Sequence, residues 1–146
     1  GAYIEKEIAY AQINKLPKPV CPSKEATDIN FDKALNLLLK NLSNVAVFVG
    51  SHNEESTLKA LHQMDTQEIA KNHPRICFAH LYGMSDNISY NLADQGYNVV
   101  KYLPYGPIKR VVPYLIRRAE ENSSIANQTS REMELIQKEI KRRKQI

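Results

Sequence analysis

Two adjacent arginines, Arg117 and Arg118, carry the clearest chemical signal in this sequence. If residues 108–122 form a helix, four side chains fall at positions i, i+3, i+4 and i+7 of one face: Tyr114, Arg117, Arg118 and Glu121. Each guanidinium offers a fixed fork of N–H donors, which matches a planar carboxylate or a phosphate. The alternative is a solvated face whose Arg–Glu pairs contribute roughly 0.2–0.5 kcal/mol each. The pattern therefore predicts either a face that binds a carboxylate or a phosphate, or a solvated face with surface ion pairs.

This helix needs a core to hold it in place. A neighbouring stripe of the helix is apolar, which predicts that it docks on such a core, and consists of Val111, Val112, Leu115, Ile116 and Ala119. Upstream, β-type runs at residues 45–50, 76–83 and 99–103 alternate with helical segments. That alternation predicts an α/β fold with right-handed βαβ units and a parallel sheet, either open or closed into a barrel. Because the run 45–50 is apolar on both faces, we expect a strand buried on both sides.

Helical periodicity and capping residues predict the remaining elements. Asp28 or Asn30 is the expected N-cap of the leucine-rich helix, and Gln95-Gly96 marks the end of the helix before the third strand. The predicted helices cover residues 3–14, 31–42, 54–63, 65–72, 85–93, 108–122 and 130–144.

Polar side chains lie where the predicted strands end and helices begin, which is where parallel α/β proteins place their chemistry. His52 and Asn53 follow the first strand, where they either hydrogen-bond a ligand or cap the next helix. Lys24, Thr27 and Asp28 precede the leucine-rich helix, where they either hold phosphate oxygens or serve as caps.

Composition excludes several classes of protein. Hydrophobic residues make up 42% and charged residues 25% of 146 residues, and no apolar run approaches the ~20 residues of a membrane span. The five glycines form neither a GxGxxG nor a Walker pattern. The two cysteines indicate a reducing compartment, and no spacing suggests a metal site. The chain begins with Gly1 in helical periodicity, so we interpret it as a piece of a longer protein.

The net charge of +4 comes largely from residues 138–144. A basic helix of this kind either contacts an anionic membrane surface or nucleic acid, or is a soluble helix end. Because aromatic residues do not interleave with the basic ones, we predict no nucleic-acid partner.

An ordered series of motifs resembles the C-terminal half of the catalytic barrel of FAD-dependent proline dehydrogenase, over residues 1–127. The matching stretches are Gly1-Ala2-Tyr3, Lys24-x-x-Thr27-Asp28, Ser51-His52-Asn53, Leu81-Tyr82-Gly83-Met84, Tyr102-Leu103-Pro104-Tyr105-Gly106-Pro107 and Tyr114-x-x-Arg117-Arg118-x-x-Glu121-Asn122. The resemblance implies a portion of a distorted (β/α)8 (TIM) barrel, a flavoprotein oxidoreductase of proline catabolism. It also implies oxidation of L-proline to Δ1-pyrroline-5-carboxylate, with electrons passed to a membrane quinone.

The resemblance also implies roles for individual residues. Arg117 and Arg118 match the pair that holds the proline carboxylate, and Glu121 would orient them. The walls of the substrate pocket would be Tyr102, Tyr114 and Leu81, and Ala2 would contact the substrate close by. The FAD contacts would be Gly1, Ala2, Lys24, Thr27, His52 and Asn53. No catalytic residue in the strict sense and no metal ligand is predicted.

The family's earlier strands, with a lysine and an aspartate near the substrate, are absent from these 146 residues. We therefore expect an incomplete barrel, inactive alone, that needs the missing N-terminal half. We expect residues 128–146 to form a separate basic amphipathic helix. The protein is expected in the cytoplasm with peripheral attachment to the inner membrane, or at the mitochondrial inner membrane if eukaryotic. Two alternatives stay open: a parallel-barrel protein that binds a phosphate ester or another small carboxylate, and a non-enzymatic basic module.

Overall fold

The computed structural model describes residues 4–124 and 126–144, and for residues 119–132 it describes the backbone alone. Six helices and three strands follow one another in this part of the chain: α1 (Ile4–Ile13), α2 (Lys24–Leu39), β1 (Val47–Val49), α3 (Glu54–Thr66), β2 (Ile76–Leu81), α4 (Asp86–Asp94), β3 (Val99–Tyr102), α5 (Ile108–Ser124) and α6 (Ala126–Arg143). They fall into two compact units, Cys21–Pro104, and Gly1–Val20 with Tyr105–Ile146.

The unit Cys21–Pro104 contains a parallel sheet with the strand order β1-β2-β3. Val49 pairs with Phe78, and Phe78 pairs with Val99 on its other side. Helices α3 and α4 connect successive strands, as the alternating sequence pattern predicted. The α/β class with a parallel sheet is confirmed. All three strands end at the same edge of the sheet, because parallel strands share one direction.

Helix α2 begins earlier than the sequence predicted. Its N-cap is Ser23, whose Oγ accepts the Ala26 N–H at 3.1 Å. The prediction of Asp28 or Asn30 as the N-cap is wrong. Asp28 lies inside the helix, where its carboxylate pairs with the ammonium of Lys24 four residues before it. A serine just before residues with good helix propensity was sufficient to start the helix about two turns sooner.

Helix α3 is one helix that ends at Thr66, so the predicted second helix over residues 65–72 is absent. Glu68 adopts φ 54°, and its N–H donates to the Asp65 carbonyl while the Ile69 N–H reaches the Met64 carbonyl. These two bonds form a Schellman motif, which terminates a helix. Glycine usually occupies the left-handed position, so a glutamate there gave no signal in the sequence.

The core of this unit lies between helices α2–α4 and one face of the sheet. The strands contribute Val47, Val49, Ile76 and Phe78, and the helices contribute Leu35, Leu39, Ala60, Met64, Ile88 and Leu92. Phe78 is 1% exposed at the centre of this layer and meets the ring of Tyr97 edge-on, with centroids 5.8 Å apart. Alternate residues of each strand point to this face.

The other face of the sheet is apolar but open. Phe48 of β1 remains 69% exposed, and Val100 and Tyr102 of β3 are exposed as well. The prediction that β1 is buried on both sides is therefore wrong, because the three helices of this unit pack on one face only. An uncovered apolar face is what a strand of a barrel shows on the side that faces the interior.

The second unit contains α1, α5 and α6. Helix α5 covers the predicted range and includes Pro113, and α6 begins four residues before its predicted start. The apolar stripe of α5 is only partly covered: Leu115 is 46% and Ile116 52% exposed. No helix in the described part of the chain is long and apolar enough to cross a membrane.

Candidate functional site

Histidine and serine side chains form a hydrogen-bonded group where β1 and β2 end. His52, just after β1, bonds through Nδ1 to the Ser85 hydroxyl at 2.8 Å. His80, near the end of β2, bonds through Nδ1 to the Ser89 hydroxyl at 3.0 Å. That hydroxyl also donates to the Ser85 carbonyl at 3.0 Å. Since a serine hydroxyl has one proton, His80 Nδ1 is then the donor to Ser89.

Ser85 has an unusual backbone conformation. His52 bonds to it directly, and His80 is connected to it through the Ser89 hydroxyl. It precedes α4 with φ 51° and ψ 41°, the left-handed region, and its residue surface is fully buried. Gly83, two residues earlier, also has a positive φ of 76°. A non-glycine residue in this region is rare and is held there by its surroundings. The turn between β2 and α4 therefore depends on the contacts made to it.

Lys101 of β3 makes the main side-chain contacts to that turn. Its Nζ donates to the Met84 carbonyl at 2.6 Å and approaches the Leu81 carbonyl at 3.5 Å. The same ammonium lies 2.6 Å from Oδ1 of Asp86, in the first turn of α4. Only 20% of the Lys101 side chain is exposed. Three oxygen atoms thus surround a group that has three N–H donors.

These surroundings hold both histidines in the neutral form. Burial, followed by the nearby His52 ring and the Lys101 ammonium, lowers the pKa of His80 to about 4. Burial and the Lys101 charge also lower the pKa of His52. The edge of the sheet therefore carries neutral imidazoles at neutral pH. The charged group near them is the ammonium of Lys101, the residue paired with His80 across β2 and β3.

Leu81 and Tyr102, two predicted pocket walls, lie side by side. They are paired in register across β2 and β3 and come one residue after His80 and Lys101, which form the preceding pair. Because side chains alternate along a strand, Leu81 and Tyr102 point to the open face of the sheet. Tyr102 is 55% exposed and Leu81 is partly buried. The structure therefore brings these two predicted residues together at the end of the sheet.

The arginine pair lies on α5, in the other unit. Arg118 is partly buried, and its guanidinium carbon lies 5.4 Å from the centroid of the Tyr114 ring, a cation–π distance. Arg117 is exposed. The predicted spacing of Tyr114 and Arg118 on one helical face is thus present. The side chain of Glu121 lies outside the described residues, as do Gly1 and Ala2.

The remaining predicted cofactor contacts lie at the starts of α2 and α3. Asn53 caps α3: its Oδ1 accepts the N–H groups of Glu55 at 3.0 Å and Ser56 at 3.3 Å. Thr27 Oγ1 donates to the Ser23 carbonyl at 3.0 Å. Lys24, whose side chain is 75% exposed, pairs with Asp28. Helix α3 follows β1 directly, so its first turn lies at the edge where the strands end, whereas Lys24 and Thr27 lie in the first turn of α2.

Most of the chain matches one family of proteins by sequence. The family profile described as proline dehydrogenase matches residues 1–131. The chain belongs to the proline dehydrogenase family. That match includes the end of the sheet and the arginine helix α5, and it stops within α6.

Among curated relatives of this proline dehydrogenase family member, two activities are named. The chain is 40% identical to proline dehydrogenase 1 (mitochondrial) of Caenorhabditis elegans and 41% identical to that of Homo sapiens, over 98% of its length in each case. It is also 40% identical to human hydroxyproline dehydrogenase, again over 98% of the chain. The chain spans 24% of the first two relatives and 32% of the third, so about a quarter to a third of their length.

A solved structure has the same fold. The crystal structure of proline utilization A from Bdellovibrio bacteriovorus, inactivated by N-propargylglycine, matches 86% of the chain with a TM-score of 0.77 and 30% identity. The match covers 13% of that larger chain. The α/β fold with its parallel sheet is therefore that of a proline dehydrogenase family member.

Sequence reasoning missed the residues behind Leu81 and Tyr102, the two predicted pocket walls. His80, Ser85, Ser89, Asp86 and Lys101 were not predicted as site residues. A signal was present for Lys101, because a lysine between Val100 and Tyr102 breaks an apolar strand. The left-handed Ser85 had none, since serine before a helix normally indicates an ordinary N-cap. Among the described residues, no group of three or more His, Cys, Asp or Glu side chains could hold a metal ion.

Proposed function

We propose that the protein containing this chain oxidises L-proline to Δ1-pyrroline-5-carboxylate with FAD as its cofactor. The observation that carries the proposal is the match of 98% of the chain to proline dehydrogenases at about 40% identity. The predicted site residues agree with the chemistry of the substrate, a small zwitterion whose carboxylate is its strongest handle. Family membership favours this reading over a phosphate-ester binder or a non-enzymatic basic module.

Arg117 and Arg118 are the proposed carboxylate-binding residues. Two guanidinium groups on one helical face can bind the two oxygens of a carboxylate and fix the orientation of the ring behind it. The contact of Arg118 with the Tyr114 ring restricts its guanidinium, so less side-chain entropy is lost on binding. We assign Glu121 the role of orienting the pair by charge.

Leu81, Tyr102, Tyr114 and Ala2 are the proposed walls around the proline ring. Leu81 and Tyr102 together offer an aliphatic surface and a phenol ring at the end of β2 and β3. A small apolar ring fits such walls, and its orientation is then set by the carboxylate at one end. The oxidation removes a hydride from a ring carbon next to nitrogen and a proton from the nitrogen.

The residues at the helix starts fit an anionic, planar cofactor such as FAD. Lys24 places an exposed ammonium at the first turn of α2, and the N-termini of α2 and α3 favour phosphate oxygens. The neutral His52 ring and the Asn53 amide offer polar contacts without adding charge. We propose that Lys24, Thr27, His52 and Asn53, together with Gly1 and Ala2, hold the cofactor. Bound FAD supplies the two-electron acceptor, which the side chains of this chain lack.

Several features of the whole protein belong to the same proposal. We propose that the chain forms the C-terminal portion of a (β/α)8 barrel over residues 1–127, followed by the basic helix 128–146. The open face of the sheet supports this, because further strands of a barrel would enclose it. We propose that a membrane quinone accepts the electrons and that the protein attaches peripherally to the inner membrane, the mitochondrial one if eukaryotic. Two of the relatives named above are mitochondrial.

Hydroxyproline is a second candidate substrate. The chain is as similar to human hydroxyproline dehydrogenase as it is to the nematode proline dehydrogenase, with 40% identity in both cases. The two imino acids share the ring and the carboxylate and differ by one hydroxyl group. The residues that face this hydroxyl decide between them, and a polar group in the wall would favour hydroxyproline.

The decisive experiment uses the protein as its gene encodes it, with any residues that precede Gly1. Purified protein should be yellow, and L-proline should bleach its flavin absorbance and reduce an added quinone analogue. Trapping of the cyclic imine product with o-aminobenzaldehyde identifies the product. Colourless protein, or flavin that neither L-proline nor trans-4-hydroxy-L-proline reduces, would overturn the proposal. Residues 1–146 expressed alone should bind no flavin, because much of the barrel would be absent.

A further inference from the structure

The turn from Leu81 to Ser85 has a conformation that its own sequence does not favour. Ser85 has φ 51° and Gly83 has φ 76°. Two backbone hydrogen bonds hold the first half of the turn: Tyr82 N–H to the Tyr102 carbonyl at 3.0 Å and Met84 N–H to the Leu81 carbonyl at 3.1 Å. Such a turn needs further contacts from outside to stay in one conformation.

Lys101 supplies such contacts from the neighbouring strand, in addition to the hydrogen bond between His52 and the Ser85 hydroxyl. Its ammonium bridges the first and fourth residues of the turn, through the Leu81 and Met84 carbonyls, and then the Asp86 carboxylate at the start of α4. We call this set of three contacts the Lys101 clamp. The side chain is largely buried, so water competes weakly for these acceptors.

The clamp joins the two residues that the proposed function places in the pocket wall. Leu81 is the first residue of the turn, and Tyr102 directly follows Lys101 on β3. Lys101 lies on the helix-facing side of the sheet, opposite to the open face where the Leu81 and Tyr102 side chains lie, so it contacts the turn and not the substrate. Without the Lys101 ammonium, the backbone pairing of β2 with β3 would have to set the distance between the Leu81 and Tyr102 side chains.

We propose that Lys101 is a positioning residue that fixes Leu81 relative to Tyr102 and thereby sets how closely the pocket wall fits the substrate ring. This inference rests on the proposed function. It assigns Lys101 no contact with the substrate. The ammonium acts through the turn, and what it controls is the discrimination between rings with different substituents.

The alternative is that Lys101 only stabilises the fold. The ratio of kcat/KM for L-proline to that for trans-4-hydroxy-L-proline separates the two roles. A loss of stability removes the same folded fraction for both substrates and leaves this ratio unchanged. A displaced wall changes the fit of the two rings unequally and changes the ratio.

The experiment compares four variants of the complete, flavin-loaded protein. Lys101→Met removes the ammonium and keeps an unbranched side chain, whereas Lys101→Arg keeps a charged donor. Asp86→Asn weakens one arm of the clamp. Lys59→Met is the matched control, since Lys59 also holds two carboxylates, Asp32 at 2.8 Å and Glu55 at 3.0 Å, away from the turn. Hydrogen exchange at the Tyr82 and Met84 amides gives a second readout that needs no turnover.

In Lys101→Met we expect the preference ratio to move toward 1 by about 5-fold or more, with ~10-fold faster exchange at Tyr82 and Met84. Lys101→Arg should keep the ratio of kcat/KM values and the exchange rates close to those of the wild type. Asp86→Asn should change both quantities in the same direction as Lys101→Met but by less. Lys59→Met should leave both quantities unchanged. An unchanged ratio in Lys101→Met overturns the proposal, whatever its melting temperature. If Lys101→Met does not fold, an unchanged ratio in Asp86→Asn overturns it.

The same measurements keep this proposal distinct from the proposed function. If the wild-type protein oxidises neither imino acid, the proposed function fails and the role of the clamp fails with it. If the wild type oxidises proline while the clamp variants keep its ratio and its exchange rates, only the clamp is wrong.

Discussion

The rings of His52 and His80 lie 5.8 Å apart, inclined at 42°, and each donates or accepts through Nδ1 to a serine near the start of α4. One histidine follows β1 and the other is the next-to-last residue of β2, so their contacts with Ser85 and Ser89 connect two strands to the start of α4. Burial, the His52 ring and the Lys101 ammonium lower the pKa of His80, and burial and the Lys101 ammonium lower the pKa of His52. This part of the fold therefore favours the neutral form of both imidazole rings.

Acid should destabilise the protein through His80. Burial lowers the pKa of His80 from 6.5 to about 4, so the unfolded chain binds a proton more readily than the folded one between these values. The contribution is fully present above pH 6.5 and is lost as the pH falls toward 4, by roughly 3 kcal/mol in total. The direction for His52 is the same.

Urea unfolding at several pH values would measure this effect. The His80→Gln variant should lose most of the pH dependence between 6.5 and 4 that His80 contributes. His62→Gln, which changes an exposed histidine of α3, is the control and should keep the wild-type slope. Equal slopes in the wild type and His80→Gln would show that His80 is not the group that responds to pH.

Loss of either arginine should impair capture of the substrate carboxylate. Arg117→Met or Arg118→Met should raise the KM for proline greatly while flavin stays bound, with a loss of roughly 2–4 kcal/mol of transition-state stabilisation. Steady-state kinetics together with the flavin spectrum of each variant measure this. Arg110→Met, on the same helix and exposed, should behave like the wild type. Unchanged kinetics in both arginine variants would remove their assignment.

Tyr102 should influence the choice of ring more than the capture of the carboxylate. Tyr102→Phe removes one hydroxyl from the open face of the sheet and keeps the ring that lies beside Leu81. We expect a small change in KM for L-proline and a larger change in the proline-to-hydroxyproline ratio of kcat/KM. A variant with a large KM increase for both substrates and an unchanged ratio would contradict this role.

The sequence predicted the fold better than it predicted what holds the site together. Strands β2 and β3 and helices α4 and α5 fall close to their predicted bounds because hydrophobic periodicity and Gly96 mark them. One error occurs where a residue adopts a conformation that its type does not favour, as Glu68 does at the end of α3. Contacts between strands, such as those of Lys101, depend on register, which a single sequence does not specify.

The sequence also predicted which residues belong to the candidate site better than it predicted the contacts that they make. Resemblance identified residues by motif, and the structure places Leu81 next to Tyr102 and Arg118 over Tyr114. It also shows that Asn53 caps α3, which is one of the two roles that the sequence left open. A motif alone cannot separate a cap from a ligand contact, because both use the same side-chain oxygen at a helix start.

Two substitutions of Asn53 can separate those roles. Asn53→Ala removes the acceptor for the Glu55 and Ser56 N–H groups and should destabilise the protein by about 1 kcal/mol. Asn53→Ser keeps a capping oxygen but lacks the amide N–H donors, so it should retain stability. If the amide also contacts FAD, Asn53→Ser should bind FAD several-fold more weakly at unchanged melting temperature of the flavin-free protein. Wild-type flavin affinity in Asn53→Ser would reduce Asn53 to a cap, since the only property that this variant lacks is the ability to donate from an amide.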